Sequence, residues 1–179
     1  MPFVFRRLVA RDPETVLQED EARLFVLDNE RLRREAQIWW SHEIFLTYNQ
    51  AGTGHGVCPA VIDATGRARY LAFGPFHQLP PGRWRASLVL RVSATAAKRP
   101  LAVDFGGAPN FAAYNLPYGV AGLHKIELEN TFGPDDLAQF RLRVKRPAFL
   151  GEIGFLGVAL QSRDAPSDDT PSPESPTTC

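Results

Sequence analysis

The stretch of residues 66–92 constrains the fold of this chain more than any other. Its second half alternates: the residues at positions 84, 86, 88, 90 and 92 are apolar, and those at 83, 85, 87 and 91 are arginine or serine. Apolar side chains at every second position are typical of a β-strand that buries one face. Because such a face needs a second layer to cover it, the pattern predicts a layered β structure with Trp84 in the core.

The first half of the same stretch predicts another strand and two turns. Residues 70–73 favour a strand, and Gly74-Pro75 is expected to break it. Pro80-Pro81-Gly82 is expected to turn the chain into the alternating strand.

From residue 38 onward, nearly every segment favours a strand. We predict that residues 38–48 form one strand, with Trp39 and Trp40 on opposite faces. One of these rings should lie in the core, and the other is a candidate surface platform. Residues 123–130 and 138–145 also alternate, and as a hairpin they would place Glu127 near Arg141.

The spacing of these segments indicates the fold class. Eight or nine short strands are separated by turns rich in Gly, Pro, Asn and Asp, and no strand–helix–strand alternation is present. We therefore expect an all-β domain, an antiparallel β-sandwich of the jelly-roll type, preceded by one N-terminal α-helix.

The helix is predicted over residues 13–37. Asp12 can cap it, Pro13 suits its first position, and arginines crowd its last turns. Its imperfect apolar stripe consists of Leu17, Leu24, Leu27 and Leu32. Two interpretations stay open: the helix packs on the sandwich, or it joins subunits or partners.

Composition divides the chain into three segments. Residues 1–37 form an N-terminal segment with the helix, which could serve in oligomerisation or as a linker. Residues 38–161 form the sandwich, and residues 162–179, rich in proline, serine and acid, are expected to be disordered.

The overall charge argues against two classes of partner. Twenty basic and twenty acidic residues give a formal net charge of zero, so neither nucleic acid nor a membrane is expected as a partner. No apolar run reaches membrane-spanning length, and the N-terminus does not have the order of a secretory signal. With Cys58 and Cys179 as its cysteines, the chain is expected to be cytoplasmic and without a disulfide.

No pattern for catalysis or metal binding emerges. The four histidines are scattered, no HExxH or GxSxG motif is present, and the glycines near His55 do not lead into a helix. We expect no cofactor and no metal, and an enzyme ranks behind a binding module.

Residues 70–92, YLAFGPFHQLPPGRWRASLVLRV, resemble a pattern of strand, F/Y-G-P-F/Y, L-P-x-G-x-Y/W, strand. This pattern occurs in β-sandwich accessory domains similar to carbohydrate-binding modules, which accompany bacterial glycosyltransferases and other surface-polysaccharide proteins. The closing FLGVALQ is similar to their last strand, so the resemblance covers residues 57–161. It implies the sandwich fold and transfers no sugar-binding residue, because its motifs consist of turn and core positions.

Aromatic and amide residues in two loops are the candidate ligand-binding residues. Saccharides need flat rings for their CH-rich faces and amides for their hydroxyls. Residues 106–122 are predicted as a long loop, with a short strand at 111–116, that either binds a saccharide or plugs the sandwich end. The candidates in the two loops are Tyr48, Asn49, Asn110, Tyr114, Asn115 and Tyr118.

Two functions of different class follow. The first is a non-catalytic module that binds carbohydrate or assists polysaccharide assembly, with a saccharide as ligand and a glycosyltransferase as a candidate protein partner. The alternative is a protein-interaction or homo-oligomerisation module that uses the N-terminal helix.

Overall fold

The computed structural model describes residues 13–164, with side chains from residue 18 onward. Twelve strands form two antiparallel sheets behind one long helix, which confirms the predicted β-sandwich. None of the described helices is long and apolar enough to cross a membrane. Asp12, the side chain of Leu17 and residues 165–179 of the predicted disordered tail lie outside the described part.

The helices within residues 13–164 are α1 Pro13–Glu35, α2 Ala94–Ala97 and one turn of 3-10 helix, His42–Ile44. The strands are β1 Ile38–Ser41, β2 Leu46–Tyr48, β3 His55–Val57, β4 Val61–Asp63, β5 Arg69–Gln78, β6 Gly82–Val92, β7 Leu101–Gly107, β8 Asn110–Asn115, β9 Gly122–Phe132, β10 Leu137–Val144, β11 Glu152–Phe155 and β12 Gly157–Ser162.

The first sheet is built around β6, the strand with the alternating pattern. β9 pairs with it along its full length, and β11 and β12 pair with its other edge and lead to β4 and β1. Trp84 is 5 % exposed, and its Nε1 donates to the Pro80 carbonyl at 2.9 Å. The predicted core position of Trp84 is confirmed.

The second sheet has the order β3-β2-β5-β10-β7-β8. Its inward side chains meet those of the first sheet in a cluster of rings. Phe45 lies 5.3 Å from Phe155 and 5.9 Å from Phe140, measured between centroids, and Phe140 stacks on Phe155. Such burial of large apolar side chains between two layers is the main stabilisation of a sandwich.

Residues 38–48 form two strands, so the prediction of a single strand is wrong. β1 belongs to the first sheet and β2 to the second, and the 3-10 turn between them carries the chain across the sandwich. Trp40 is buried, whereas Trp39 is partly exposed on the side that faces α1, so the two rings do lie on opposite faces.

β9 and β10 do not form the predicted hairpin, although each alternates as expected. β9 pairs with β6 in the first sheet, and β10 pairs with β5 and β7 in the second. Residues 133–136 therefore cross between the sheets. Glu127 consequently pairs with Arg85 and not with Arg141.

Helix α1 lies on the outer face of the first sheet as a third layer. Phe25 is 6 % exposed, and its ring lies so close to Gly154 that a Cβ there would approach it to 3.0 Å. The Arg91 guanidinium pairs with Glu21 at 3.4 Å at this interface. The interpretation of a helix packed on the sandwich is confirmed, and self-association remains a prediction.

The face that α1 uses differs from the predicted apolar stripe. Leu24 and Leu27 are 53 % and 47 % exposed, whereas Phe25 and Asn29 are buried. The predicted stripe is wrong because it considered the leucines alone. The buried face of the helix is centred on Phe25, whose ring fills the groove over Gly154.

Residues 106–122 contain a strand hairpin, so the prediction of one long loop is wrong, whereas the short strand predicted at 111–116 is confirmed as β8. β7 continues to Gly107, β8 pairs with it as the edge strand, and residues 116–121 remain as a short irregular connection. After β6 the chain forms α2, which Ser93 caps by accepting from the Ala96 backbone N–H at 3.2 Å.

Candidate functional site

The outward face of the second sheet carries five aromatic side chains, and we call it the aromatic face. Phe73, Arg141 and Asp104 are direct partners across β5, β10 and β7, so their side chains share this face. Helix α1 does not cover this face, because α1 packs on the first sheet. The five rings are those of Tyr48, Tyr70, Phe73, Phe76 and Phe111.

Phe73 is the centre of this group of rings. Tyr48 stacks on it with centroids 4.9 Å apart and planes inclined by 19°, and Tyr70 approaches it at 6.1 Å. Tyr48, Tyr70 and Phe73 are all half-buried. The rings therefore support one another while leaving part of their surface open to solvent.

Phe76 is presented by a bulge in β5. The strand runs through Gly74 and Pro75, so the expected break at this dipeptide is wrong. The register shifts where Gln139 pairs with Pro75 and Ala138 with His77, which leaves Phe76 without a partner. Phe76 has φ = 61°, in the left-handed region, and is 43 % exposed. A bulge of this kind re-aims a side chain, and such strained residues concentrate at functional sites.

Arg141 links the rings to the charged part of the face. Its guanidinium carbon lies 3.6 Å from the centroid of the Phe111 ring and 5.7 Å from that of Tyr70. Both distances are within the range of cation–π attraction. The guanidinium thus forms a flat polar surface between two aromatic rings.

Asp104 holds the arginines in place. Its side chain is 1 % exposed and lies 3.1 Å from the Arg141 guanidinium and 3.4 Å from that of Arg143. Two cations share one carboxylate, which leaves an excess of positive charge between the rings. A buried carboxylate without a cationic partner would destabilise the folded protein, so the two arginines are held beside Asp104.

Arg69 fixes the end of β2 that carries Tyr48. Its guanidinium donates to the backbone carbonyls of Tyr48 at 3.2 Å and Asp63 at 2.7 Å. Burial lowers the pKa of Arg69 from its usual range, and the charge of Asp63 acts in the opposite direction. Hydrogen bonds from Thr65 lower the pKa of Asp63, which favours the ionised form of this carboxyl.

The structure separates the six residues predicted from the sequence. Tyr48 lies on the aromatic face, and Asn49 is a turn residue whose Oδ1 accepts from the Thr53 backbone N–H at 3.0 Å. Asn115 lies at the far edge of the face, where it accepts from Lys145 Nζ at 2.6 Å. Four strand spacings, about 19 Å, separate β2 from β8.

The other three predicted residues lie off the aromatic face. Asn110 begins β8, and its backbone carbonyl accepts from Asn130 Nδ2 at 2.9 Å. Tyr114 pairs with the inward Val103, so its ring is at the inner side of the edge strand. Tyr118 is 71 % exposed in the connection 116–121.

Sequence reasoning missed most of the aromatic face. Asp104 was a usable signal, because it is an acid between the inward Val103 and Phe105 and so had to point outward. Tyr70 and Phe73 share the face although they are three residues apart, because the register shifts between them. A bulge cannot be read from alternation alone.

The described residues contain no cluster of His, Cys, Asp and Glu suited to a metal ion. Cys58 is a buried free thiol, and burial raises its pKa to about 12. A protonated thiol is neither a good nucleophile nor a metal ligand.

The solved structures similar to this chain include two carbohydrate-binding modules. One is a family 61 carbohydrate-binding module in complex with β-1,4-galactotriose, at 10 % identity, a TM-score of 0.39, and coverage of 55 % of this chain and 66 % of that chain. The other is a family 16 carbohydrate-binding module, at 12 % identity, a TM-score of 0.43, and coverage of 69 % and 90 %. The strand order above, and not these distant likenesses, defines the fold.

No protein-family model and no curated protein matches the chain.

Proposed function

We propose that the protein is a non-catalytic saccharide-binding module and that the aromatic face is its binding surface. The observation that carries the proposal is the half-exposed ring group around Phe73, which extends through Arg141 to Phe111. Pyranose rings present flat CH-rich faces that stack on aromatic rings, and their hydroxyls need polar partners. The aromatic face offers both on a rigid sheet.

The charge of the face favours an acidic saccharide. Arg141 and Arg143 share the single carboxylate of Asp104, and their side chains are 21 % and 36 % exposed. A guanidinium fork binds a carboxylate or sulfate in two places at once. Because the excess charge lies between the rings, a sugar stacked on the rings would bring its acidic group to the arginines.

A glycan array that contains neutral, uronic-acid and sulfated oligosaccharides tests this proposal with the full-length protein. We expect binding to acidic members that weakens at high salt, because part of the attraction is between charges. An array without any bound saccharide would contradict the proposal. Rings and arginines also occur in sites for single-stranded nucleic acid, so tighter binding of an oligonucleotide would contradict it as well.

The biological setting forms a second part of the proposal. The resemblance of residues 57–161 to sandwich domains that accompany bacterial glycosyltransferases supports an accessory role in polysaccharide assembly in the cytoplasm. The partner would then be a glycosyltransferase. Co-purification of such an enzyme with the tagged protein, using a Phe73→Ala variant to separate sugar-mediated from direct association, tests this part.

Helix α1 offers an alternative function in self-association. Leu24, Val26 and Leu27 are 53 %, 45 % and 47 % exposed on a helix whose other side is packed on the sheet. Light scattering of the full-length protein and of a Leu24→Ser, Leu27→Ser variant tests it. A monomer in both samples would leave the alternative without support.

A further inference from the structure

One end of the sandwich differs from the rest of the molecule in charge. Val92 pairs with Gly122, Leu101 with Val144, and Asp63 with Glu152, so the adjoining loops all lie at this end. We call it the basic end. It comprises the loops at residues 49–54, 64–68, 93–100, 116–121 and 145–151.

Backbone hydrogen bonds join these loops into one surface. The Gly119 N–H donates to the Ala97 carbonyl at 2.8 Å, and the Lys145 N–H donates to the Pro100 carbonyl at 2.9 Å. Gly66 and Ala148 pair as an isolated bridge. Side chains on different loops are therefore held in fixed positions relative to one another.

The five loops contain five basic residues and no acidic one. The acids beside these loops already have partners. Asp63 accepts from Gln50 Nε2 and the Thr65 N–H, and Glu152 pairs with Asp63 across the strands. Glu21 of α1, near Gly122, pairs with Arg91. Since the whole chain has a net charge of zero, positive charge is concentrated here. The five basic residues are Arg67, Lys98, Arg99, Lys145 and Arg146.

Large apolar side chains project from the tips of two of these loops. Phe149 is 82 % exposed and Leu150 69 %, and on the neighbouring loop Tyr118 is 71 % and Val120 50 % exposed. The Arg99 guanidinium lies 6.0 Å from the Phe149 ring. Adjacent exposed apolar residues of this size mark an interaction site.

We propose that the basic end docks on the surface of an anionic phospholipid bilayer. The apolar tips enter the boundary between headgroups and acyl chains, and the five cations contact lipid phosphates. Exposed apolar tips with cations on the same and adjoining loops suit a bilayer, which needs no matching shape, better than a folded protein partner. The sequence predicted no membrane partner because the net charge is zero. A net charge of the whole chain does not reveal that basic residues are concentrated at one end.

This proposal does not depend on saccharide binding. The basic end is formed by loops, whereas the aromatic face is formed by the side of the second sheet, so each surface can be altered without the other.

Sedimentation of the full-length protein with vesicles tests the proposal. Vesicles of phosphatidylcholine and phosphatidylserine in equal parts should bind the protein, vesicles of phosphatidylcholine alone should bind it much less, and high salt should weaken the binding. A Phe149→Ser, Leu150→Ser variant and a Lys98→Glu, Arg146→Glu variant should each lose about tenfold or more in affinity.

Matched controls replace residues of the same types elsewhere. Phe76→Ser removes an exposed phenylalanine from the aromatic face, and Arg83→Glu reverses a charge at the opposite end of the sandwich; both should retain vesicle binding. All variants change exposed side chains, so their melting temperatures should agree. Absence of binding to the mixed vesicles, or equal loss in the controls, would overturn the proposal. So would self-association of the free protein that the Phe149→Ser, Leu150→Ser variant abolishes.

Discussion

The guanidinium of Arg141 lies 3.6 Å above the ring of Phe111 while pairing with the buried carboxylate of Asp104 at 3.1 Å. The carboxylate comes from β7, which lies beside β10, and the ring comes from β8, the next strand of the sheet, so three strands fix one side chain. A side chain held in this way loses little conformational entropy when a ligand binds. The aromatic face is thus preorganised for ligand binding.

Removing the charge of Asp104 should destabilise the protein. Asp104→Asn leaves two arginines without their carboxylate, which should cost about 3 kcal/mol of unfolding free energy. Urea denaturation measures this loss. Glu127→Gln removes an exposed partner of Arg85 and should cost less than about 1 kcal/mol. Equal losses in the two variants would mean that Asp104 does not organise the face.

Trp84→Ala should cost about 3–5 kcal/mol of unfolding free energy, because it leaves a large cavity and removes the hydrogen bond to Pro80. Denaturation in urea provides the value. A loss below about 1 kcal/mol would place Trp84 at the surface and shift the register of β6 by one residue.

The docking of helix α1 can be tested with two neighbouring residues. Phe25→Ala should cost about 3 kcal/mol, because its ring fills the groove over Gly154. Leu24→Ala, one residue away on the exposed side, should change stability by less than about 0.5 kcal/mol. If the two substitutions had the same small effect, the helix would not form a third layer.

The buried thiol of Cys58 predicts a dependence of stability on pH. Its pKa is raised to about 12 in the folded protein from an ordinary value of 9.0. Above about pH 9 the unfolded chain loses this proton while the folded protein keeps it, so stability should fall by up to about 1.4 kcal/mol per pH unit.

The unfolding free energies of the parent and of Cys58→Ala, compared between about pH 9 and pH 12, isolate this contribution, because the variant has no thiol at this position. In a Cys179→Ser background, the native protein should also resist a thiol reagent at neutral pH and react once unfolded. Rapid modification of the folded protein would show that Cys58 is accessible.

The sequence predicted local structure better than the arrangement of the strands. The alternation of β6 identifies Trp84 as a core residue because alternation is a local property of one strand. The partner of β10 is not local: residues 133–136 could close a hairpin or cross to the other sheet, and the side-chain pattern of β10 is the same in both cases. Glu127 was therefore assigned to the wrong arginine.

The candidate site was predicted in part for a similar reason. Tyr48 was a candidate because it is an aromatic residue next to an amide residue in sequence, and it lies on the aromatic face. Its stacking partner Phe73 was not identified. Phe73 and Phe76 flank a bulge whose position depends on pairing with β10. Tyr118, grouped with Asn115 because both are near in sequence, lies in a loop beyond the end of the strand.

Calorimetric titration of the best acidic oligosaccharide from the array into two phenylalanine variants tests the central claim most directly. Phe76→Ala removes a 43 % exposed ring from the aromatic face, and Phe149→Ala removes an 82 % exposed ring from the basic end. We predict that Phe76→Ala weakens binding about tenfold or more and that Phe149→Ala leaves it unchanged. Unchanged binding by Phe76→Ala, or an equal loss in both variants, would contradict the assignment of saccharide binding to the aromatic face.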